Sequence, residues 1–404
     1  MTGLAAALAC VAISACGAAA AEMQLVVTPA AAGSDVPVCV EISLPAELAG
    51  AKPDQVAVTM KSADGAAAPG QVVRIGDGPA RLAWIIPSVK ADEKQKWTAT
   101  LAKGAPAGEA FSWKDEPGKH LDLLLAGKCV TRYMYERDTS TKEKAHATYK
   151  VYTHVMDAEG SDTITKGPGG QYTHHRGIFL GYNRTGYDAD KRGDWWHMKA
   201  GNLPVTQEHQ KFLSLVAGPV AARSTTLIHW NDPDGKPVVV EEREQTVWRQ
   251  PAPAMLLFDF RAKLTAARSD IDLNGDPEHA GMQFRPHNDV NRKTTKYLFP
   301  DEKVTRANVS KERDLAWAAE CYELRGKQYT VQHMNHPDNP KGTRYSAYRD
   351  YGRFGTFAAA KVKQGESLTL LHRIWVAEGD HLSREEMQAR WEAFAHAPKV
   401  EAAK

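Results

Sequence analysis

Ala254-Met255-Leu256-Leu257-Phe258-Asp259-Phe260-Arg261-Ala262-Lys263-Leu264-Thr265 is the stretch on which the fold class turns. Leu256, Phe258, Phe260, Ala262 and Leu264 fall on one side; Asp259, Arg261 and Lys263 fall on the other. A period of two is the mark of a strand with one buried face. Leu368, Leu370, His372, Ile374 and Val376 repeat it. Asn231-Asp232-Pro233-Asp234-Gly235 parts Thr225–Trp230 from Val238–Trp248, a hairpin signal. No strand–helix–strand alternation appears, so a parallel sheet is not expected. Residues 121–382 read as a large antiparallel β-sandwich with long loops.

Upstream, Gln24–Thr28, Val36–Leu44, Val56–Met60, Gln71–Ile75, Arg81–Ile86 and Lys96–Leu101 are short β-rich runs between Gly, Pro and Asp clusters. That spacing predicts a small immunoglobulin-like sandwich over 23–115. Trp113–His120, with Glu116-Pro117-Gly118, reads as the linker. Downstream, Ser383-Arg384-Glu385-Glu386 is a capping box. Met387, Trp391 and Phe394 then form one apolar stripe, predicting an amphipathic helix over 383–397. The fold class is therefore all-β with one C-terminal helix.

Residues 1–22, MTGLAAALACVAISACGAAAAE, read as a secretory signal with an A-x-A site at Ala19–Ala21. Ile13-Ser14-Ala15-Cys16 offers the alternative of a lipoprotein anchored through Cys16. Either way the chain is expected outside the cytoplasm, in the periplasm or beyond. No later stretch approaches the ~20 apolar residues of a transmembrane helix. Cys39, Cys129 and Cys321 then remain, an odd set best read as buried free thiols, with pairing left open.

The 404 residues carry a net charge of only +2, which argues against a nucleic-acid partner. All 15 His and all 13 Tyr lie at or after His120. Acid–base and ligand chemistry therefore belongs to the second part of the chain. Four clusters stand out. Tyr172-Thr173-His174-His175-Arg176-Gly177 follows a breaker-rich loop. Neighbouring His on a strand point to opposite faces, so His174 and His175 serve one site only where the backbone leaves strand geometry. One of them suits a general base, and Arg176 suits an enolate stabiliser; a structural His is the alternative. Asp194-Trp195-Trp196-His197 suits a sugar platform or ordinary core packing. In Gly281–Asp289, Met282 and Phe284 facing the core would put Gln283 and Arg285 on the other face, with His287 on the following loop. Arg285 would clamp an oxyanion or form a structural salt bridge. His333–Pro340 holds His336, Asp338 and Asn339 in a stiff, Pro-bounded loop, or is simply a turn. The His spacings match no zinc signature, so no cofactor is expected, and a His-bound metal is the open alternative.

In sequence order, THHRG, DWWH, GMQFR, HPDNP and RIWVAEGD make residues 121–382 resemble a bacterial exported family labelled methane oxygenase PmoA. The matching positions are His174, His175, Arg176, Asp194, Trp196, His197, Arg285, His336, Asp338 and Asn339. The resemblance implies work on carbohydrate. The leading expectation is a hydrolase or lyase acting on a sugar or oxidised glycoside. His174 or His175 would be the base and His336 the acid or a second base, with His197 in the same site. Arg176 and Arg285 would stabilise negative charge, Trp195 and Trp196 would form a sugar-stacking wall, and Asp194, His287, Asp338 and Asn339 would contact substrate. A non-catalytic carbohydrate-binding protein and a His-bound metal oxidoreductase are the alternatives. Substrate and oligomeric state are not legible.

Overall fold

The computed structural model describes residues 20–73 and 79–403. The proposed signal lies outside these residues, except that Ala21 and Glu22 open the first strand, Ala21–Thr28.

Two eight-stranded antiparallel sheets form the larger part. In the back sheet the strand Ala254–Ala266 lies between Pro237–Trp248 and Ser367–Glu378. Its alternation is realised: Leu256, Phe258, Phe260, Ala262 and Leu264 are buried, and Asp259, Arg261 and Lys263 face away. They pack against Ile178, Leu180 and Tyr182 of one front-sheet strand and Met282 and Phe284 of the next. Each such fully buried side chain contributes about 1.5–3 kcal/mol relative to exposure. The hairpin at Asn231–Gly235 forms, with Asp232 Oδ1 accepting from the Asp234 and Lys236 amides at 3.0 and 2.9 Å.

The N-terminal strands depart from expectation. They form one seven-stranded sheet rather than the two facing sheets of an immunoglobulin-like sandwich. Ala67–Val73 pairs with both Val56–Ser62 and Ala80–Val89, which joins the would-be layers through hydrogen bonds. The last strand, Lys399–Ala402, adds to this sheet beside Ala21–Thr28. The expected linker is not one either. Phe111–Glu116 pairs with His120–Leu125 at the edge of the front sheet, and Glu116-Pro117-Gly118 belongs to the hairpin turn. Trp113 donates its indole N–H to the Val216 carbonyl at 3.1 Å. The C-terminal helix spans Arg384–Ala395 with Ser383 as N-cap, and it seats Met387 against Trp317 and Trp375 on the outer face of the back sheet. Of the three cysteines among the described residues, Cys321 is buried, Cys129 intermediate and Cys39 exposed, all free.

Inside the sandwich, Arg243 and Glu241 form a bidentate ion pair at 2.7 and 3.0 Å with neither side chain exposed. The Trp230 indole N–H completes it at 2.8 Å. Removing one partner strands a buried charge, so Arg243→Met should cost about 3–5 kcal/mol in urea unfolding, and Arg243→Met with Glu241→Gln should recover part of it. Two buried histidines set a pH dependence. Desolvation pushes His333 and His154 down to about 3. Between that value and the ordinary 6.5 the unfolded chain holds protons that the native chain does not, so stability is full above 6.5 and falls with acid. Each should withdraw about 2 kcal/mol on going from pH 7.5 to pH 5, read as a falling urea midpoint.

Candidate active site

The front sheet is covered on its outer face as well. On Ile178–Tyr182, Phe179 points away from the sandwich core and packs with Tyr152 and Trp196. Loops close over this face, and the histidines sit in them.

Residues 171–177 form a turn, not a strand. Tyr172 takes a left-handed φ of 54°, and the His175 amide donates back to its carbonyl at 2.9 Å. A left-handed tyrosine costs energy and persists only where its surroundings enforce it. The turn brings the His174 and His175 rings to 4.4 Å, so both serve one cluster. His174 lies 4.4 Å from His197, and His197 lies 5.2 Å from His279. The result is a row of four imidazoles. Tyr172, 42 % exposed, and the buried Tyr351 flank its inner end, with ring centres 5.1 Å apart.

Two of the row are held by carboxylates. Asp194 Oδ1 accepts from the Trp196 and His197 amides, and Oδ2 contacts His197 Nδ1 at 2.8 Å. Asp276 Oδ1 contacts His279 Nδ1 at 2.9 Å. A carboxylate on Nδ1 favours the tautomer that leaves Nε2 as proton acceptor. His279 was absent from the sequence-based set, although Asp276-Pro277-Glu278-His279 repeats the spacing of Asp194-Trp195-Trp196-His197.

Buried cations fix the loops. Lys150 donates to the Trp196 carbonyl at 2.6 Å. Lys166 donates to the carbonyls of Gly167, Gly169 and His175 at 2.9, 2.6 and 3.3 Å. Arg176 donates to the Thr173, His175 and His146 carbonyls. Arg285 donates to the Pro286 and Tyr351 carbonyls at 2.7 and 3.0 Å and lies 4.7 Å over the Tyr351 ring. Arg353 bonds Gln283 and Ser346. Desolvation, then the charges of Lys150, His197, His279 and Arg176, push His174 down to about 2. Burial, with Arg353 foremost among the nearby charges, holds His175 well below its usual range. Lys150 itself is lowered by burial and by Arg176. Beneath Gly352 lies Glu320, fully buried, its carboxyl raised well above the usual range by desolvation.

Several expected roles change. Arg176 and Arg285 are buried and committed to backbone carbonyls, so they support the loops rather than reach a ligand. Trp195 and Trp196 are fully buried and form no sugar-stacking wall. Trp195 packs on Tyr187 and Trp230, and Trp196 forms the floor under His175 and Phe179. His336 is not in the row: its ring packs on Phe394 of the C-terminal helix at 5.0 Å and pairs with Asp338 at 3.6 Å. Asn339 bonds Asn335 and the Leu371 backbone, closing its own loop. His287 sits with Asp289 and Arg325 on another loop. Among the described residues no three His, Cys, Asp or Glu side chains are placed to hold a metal ion.

No curated protein matches the chain. Among solved structures, a protein in the glycosyl hydrolase family 38 from Enterococcus faecalis aligns at 11 % identity and a TM-score of 0.42, over 95 % of this chain and 47 % of that one. This chain thus spans about half the length of that protein. The methane-oxygenase PmoA label carried by the sequence resemblance is not sustained. The matching family model is of unknown function, and among the described residues the fold is all-β but for two α-helices and short 3-10 turns, with no helix long and apolar enough to cross a membrane. With residues 120–392 matched, the chain belongs to the family of unknown function DUF6807.

Proposed function

We propose that the protein is an exported carbohydrate-active enzyme that moves protons on an oxidised sugar, as a lyase, through the His174–His175–His197–His279 row. The observation that carries this reading is the convergence of four imidazoles, two of them oriented by Asp194 and Asp276, beside buried lysine and arginine side chains. A hydrolase with two opposed carboxylates fits less well. Asp194 is committed to His197, whereas Asp338 pairs with His336 beside the C-terminal helix.

In this reading a keto group of the sugar lies over the row beside Tyr172. His174 takes the proton from the carbon next to the carbonyl. The C–H electron pair becomes the enolate, whose oxygen carries the charge. The enolate then re-forms the carbonyl and a new C=C bond as the bond to the leaving oxygen breaks. That oxygen receives a proton from the row by way of His197. Desolvation, reinforced by Lys150 and Arg176, keeps His174 unprotonated at rest, and the same basic side chains favour the enolate. As negative charge develops, it offsets those cations and raises the proton affinity of His174. Tyr172 replaces the tryptophans as the ring on which a sugar face would rest. Its exposure also suits a non-catalytic sugar-binding protein, in which no turnover exists to be lost.

The test is a panel of keto-glycosides followed by enone absorbance. His174→Ala and His197→Ala should each lower kcat/KM by about 10²–10⁴-fold, and His279→Ala should act in the same direction. Tyr172→Ala should chiefly raise KM. Wild-type turnover that survives His174→Ala and His197→Ala unchanged contradicts the proposal; sugar binding without turnover favours the non-catalytic alternative.

A further inference from the structure

A second feature adjoins the histidine row. Lys191–Gly193, Arg184–Tyr187, Ile271–Asn274 and Ala360–Val362 form a four-stranded sheet in that order. Arg192, Gly186, Asp272 and Lys361 stand directly across from one another, one from each strand, so they share a face. Arg184 and Asn274, two residues along their strands, face the same way. Cavities of about 610 and 500 Å³ open over this face, and both are lined by Arg192 and Asp272. Each is of small-molecule size.

The larger cavity reaches the carboxylates of the histidine row. Asp194, which holds His197, lines it. So do Asn183 and Arg184, which bond Asp276 at 3.2 and 3.5 Å. The smaller cavity continues toward Lys361 and Lys363.

The charge of this face is unbalanced. Its ion pairs are Arg184–Asp276 and Lys363–Asp270. That leaves Arg192, Lys199 and Lys361 unpaired among the described residues, against the carboxylates of Asp272 and of Asp194, the latter held by His197. Arg192 is also placed by the sheet. A Cβ on Gly186 would lie 2.8 Å from its Nη1, so the guanidinium lies across the strand over Gly186, at the junction of the two cavities, and a side chain there would displace it. The one aromatic lining residue, Tyr187, is buried. Recognition here therefore works through charge and amide groups rather than ring stacking, which also disfavours a nucleic acid.

We infer that this face is a run of subsites for an anionic oligosaccharide, bearing carboxylate or sulfate groups, whose reacting end lies at the histidine row. The inference rests on the carbohydrate reading above and adds the substrate class. Isothermal titration of the full chain at low salt tests it with tetragalacturonate, a sulfated tetrasaccharide, cellotetraose and monomeric galacturonate. One of the charged tetrasaccharides should bind at least about tenfold tighter than cellotetraose and galacturonate, and added salt should erode the difference. Which one wins separates carboxylate from sulfate. Arg192→Ala and Lys361→Ala should each weaken that binding about two- to fivefold, and Gly186→Ala should weaken it by displacing Arg192 without removing charge. Equal binding of charged and neutral tetrasaccharides, or affinity unchanged in both Arg192→Ala and Lys361→Ala, overturns the inference. Charge-independent binding with turnover still lost in His174→Ala overturns the groove alone. Charge-dependent binding with turnover unaffected by His174→Ala overturns the catalytic reading alone.

Discussion

Buried cations bonded to loop carbonyls are the constraint on which the candidate site depends. The loops over the outer face of the front sheet have backbone oxygens that no strand partner can satisfy, and leaving them unpaired in the interior is costly. Lys150, Lys166, Arg176 and Arg285 supply the missing donors. Arginine and lysine reach several carbonyls at once, so four side chains tie down the segments that carry His174, His175 and His197. Removing any of them frees a loop as well as a charge.

The same groups set the electrostatics. Burial strips water from the imidazoles, and the basic side chains enclosed beside them further penalise a positive charge, so His174 and His175 stay neutral well into acid. Asp194 and Asp276 act on the outer half of the row by orienting His197 and His279. One end of the row is thus governed by nearby positive charge and the other by carboxylates. That gradient is suited to passing a proton along the row. Beyond Asp194 and Asp276 the four-stranded sheet continues the polar surface, which links the row to a longer groove.

Much of the fold was legible wherever a strand had one wet face. Ala254–Thr265 alternates because Arg261 and Lys263 meet solvent while Phe258 and Phe260 do not. Ile178–Tyr182 is buried throughout, so no alternation reveals that Phe179 points away from the core. The breaker Glu116-Pro117-Gly118 marks a turn, but a hairpin turn and a linker share that chemistry. In the site, the His174–His175 pair pointed to one cluster only on condition of an irregular backbone, and the left-handed Tyr172 meets that condition. Trp195 and Trp196 misled because a tryptophan beside polar residues looks alike on a rim and beneath a loop. His336 misled because a Pro-bounded loop fixes local geometry without saying which sheet edge it borders. His279 was within reach through its Asp-x-x-His spacing, whereas Lys150 bore no signal, since a lone lysine gives no hint of burial.

The central claim is that desolvation, reinforced by the enclosed Lys150 and Arg176, keeps the inner histidines neutral. Its most direct test is a histidine titration by ¹H–¹⁵N NMR from pH 8 to pH 5, on the wild type and on Lys150→Met. The account predicts that His174 and His175 hold one neutral tautomer throughout in the wild type, and that His174 gains a proton at higher pH once Lys150 is replaced. Titration of His174 near its ordinary 6.5 in the wild type, or no change on replacing Lys150, contradicts it.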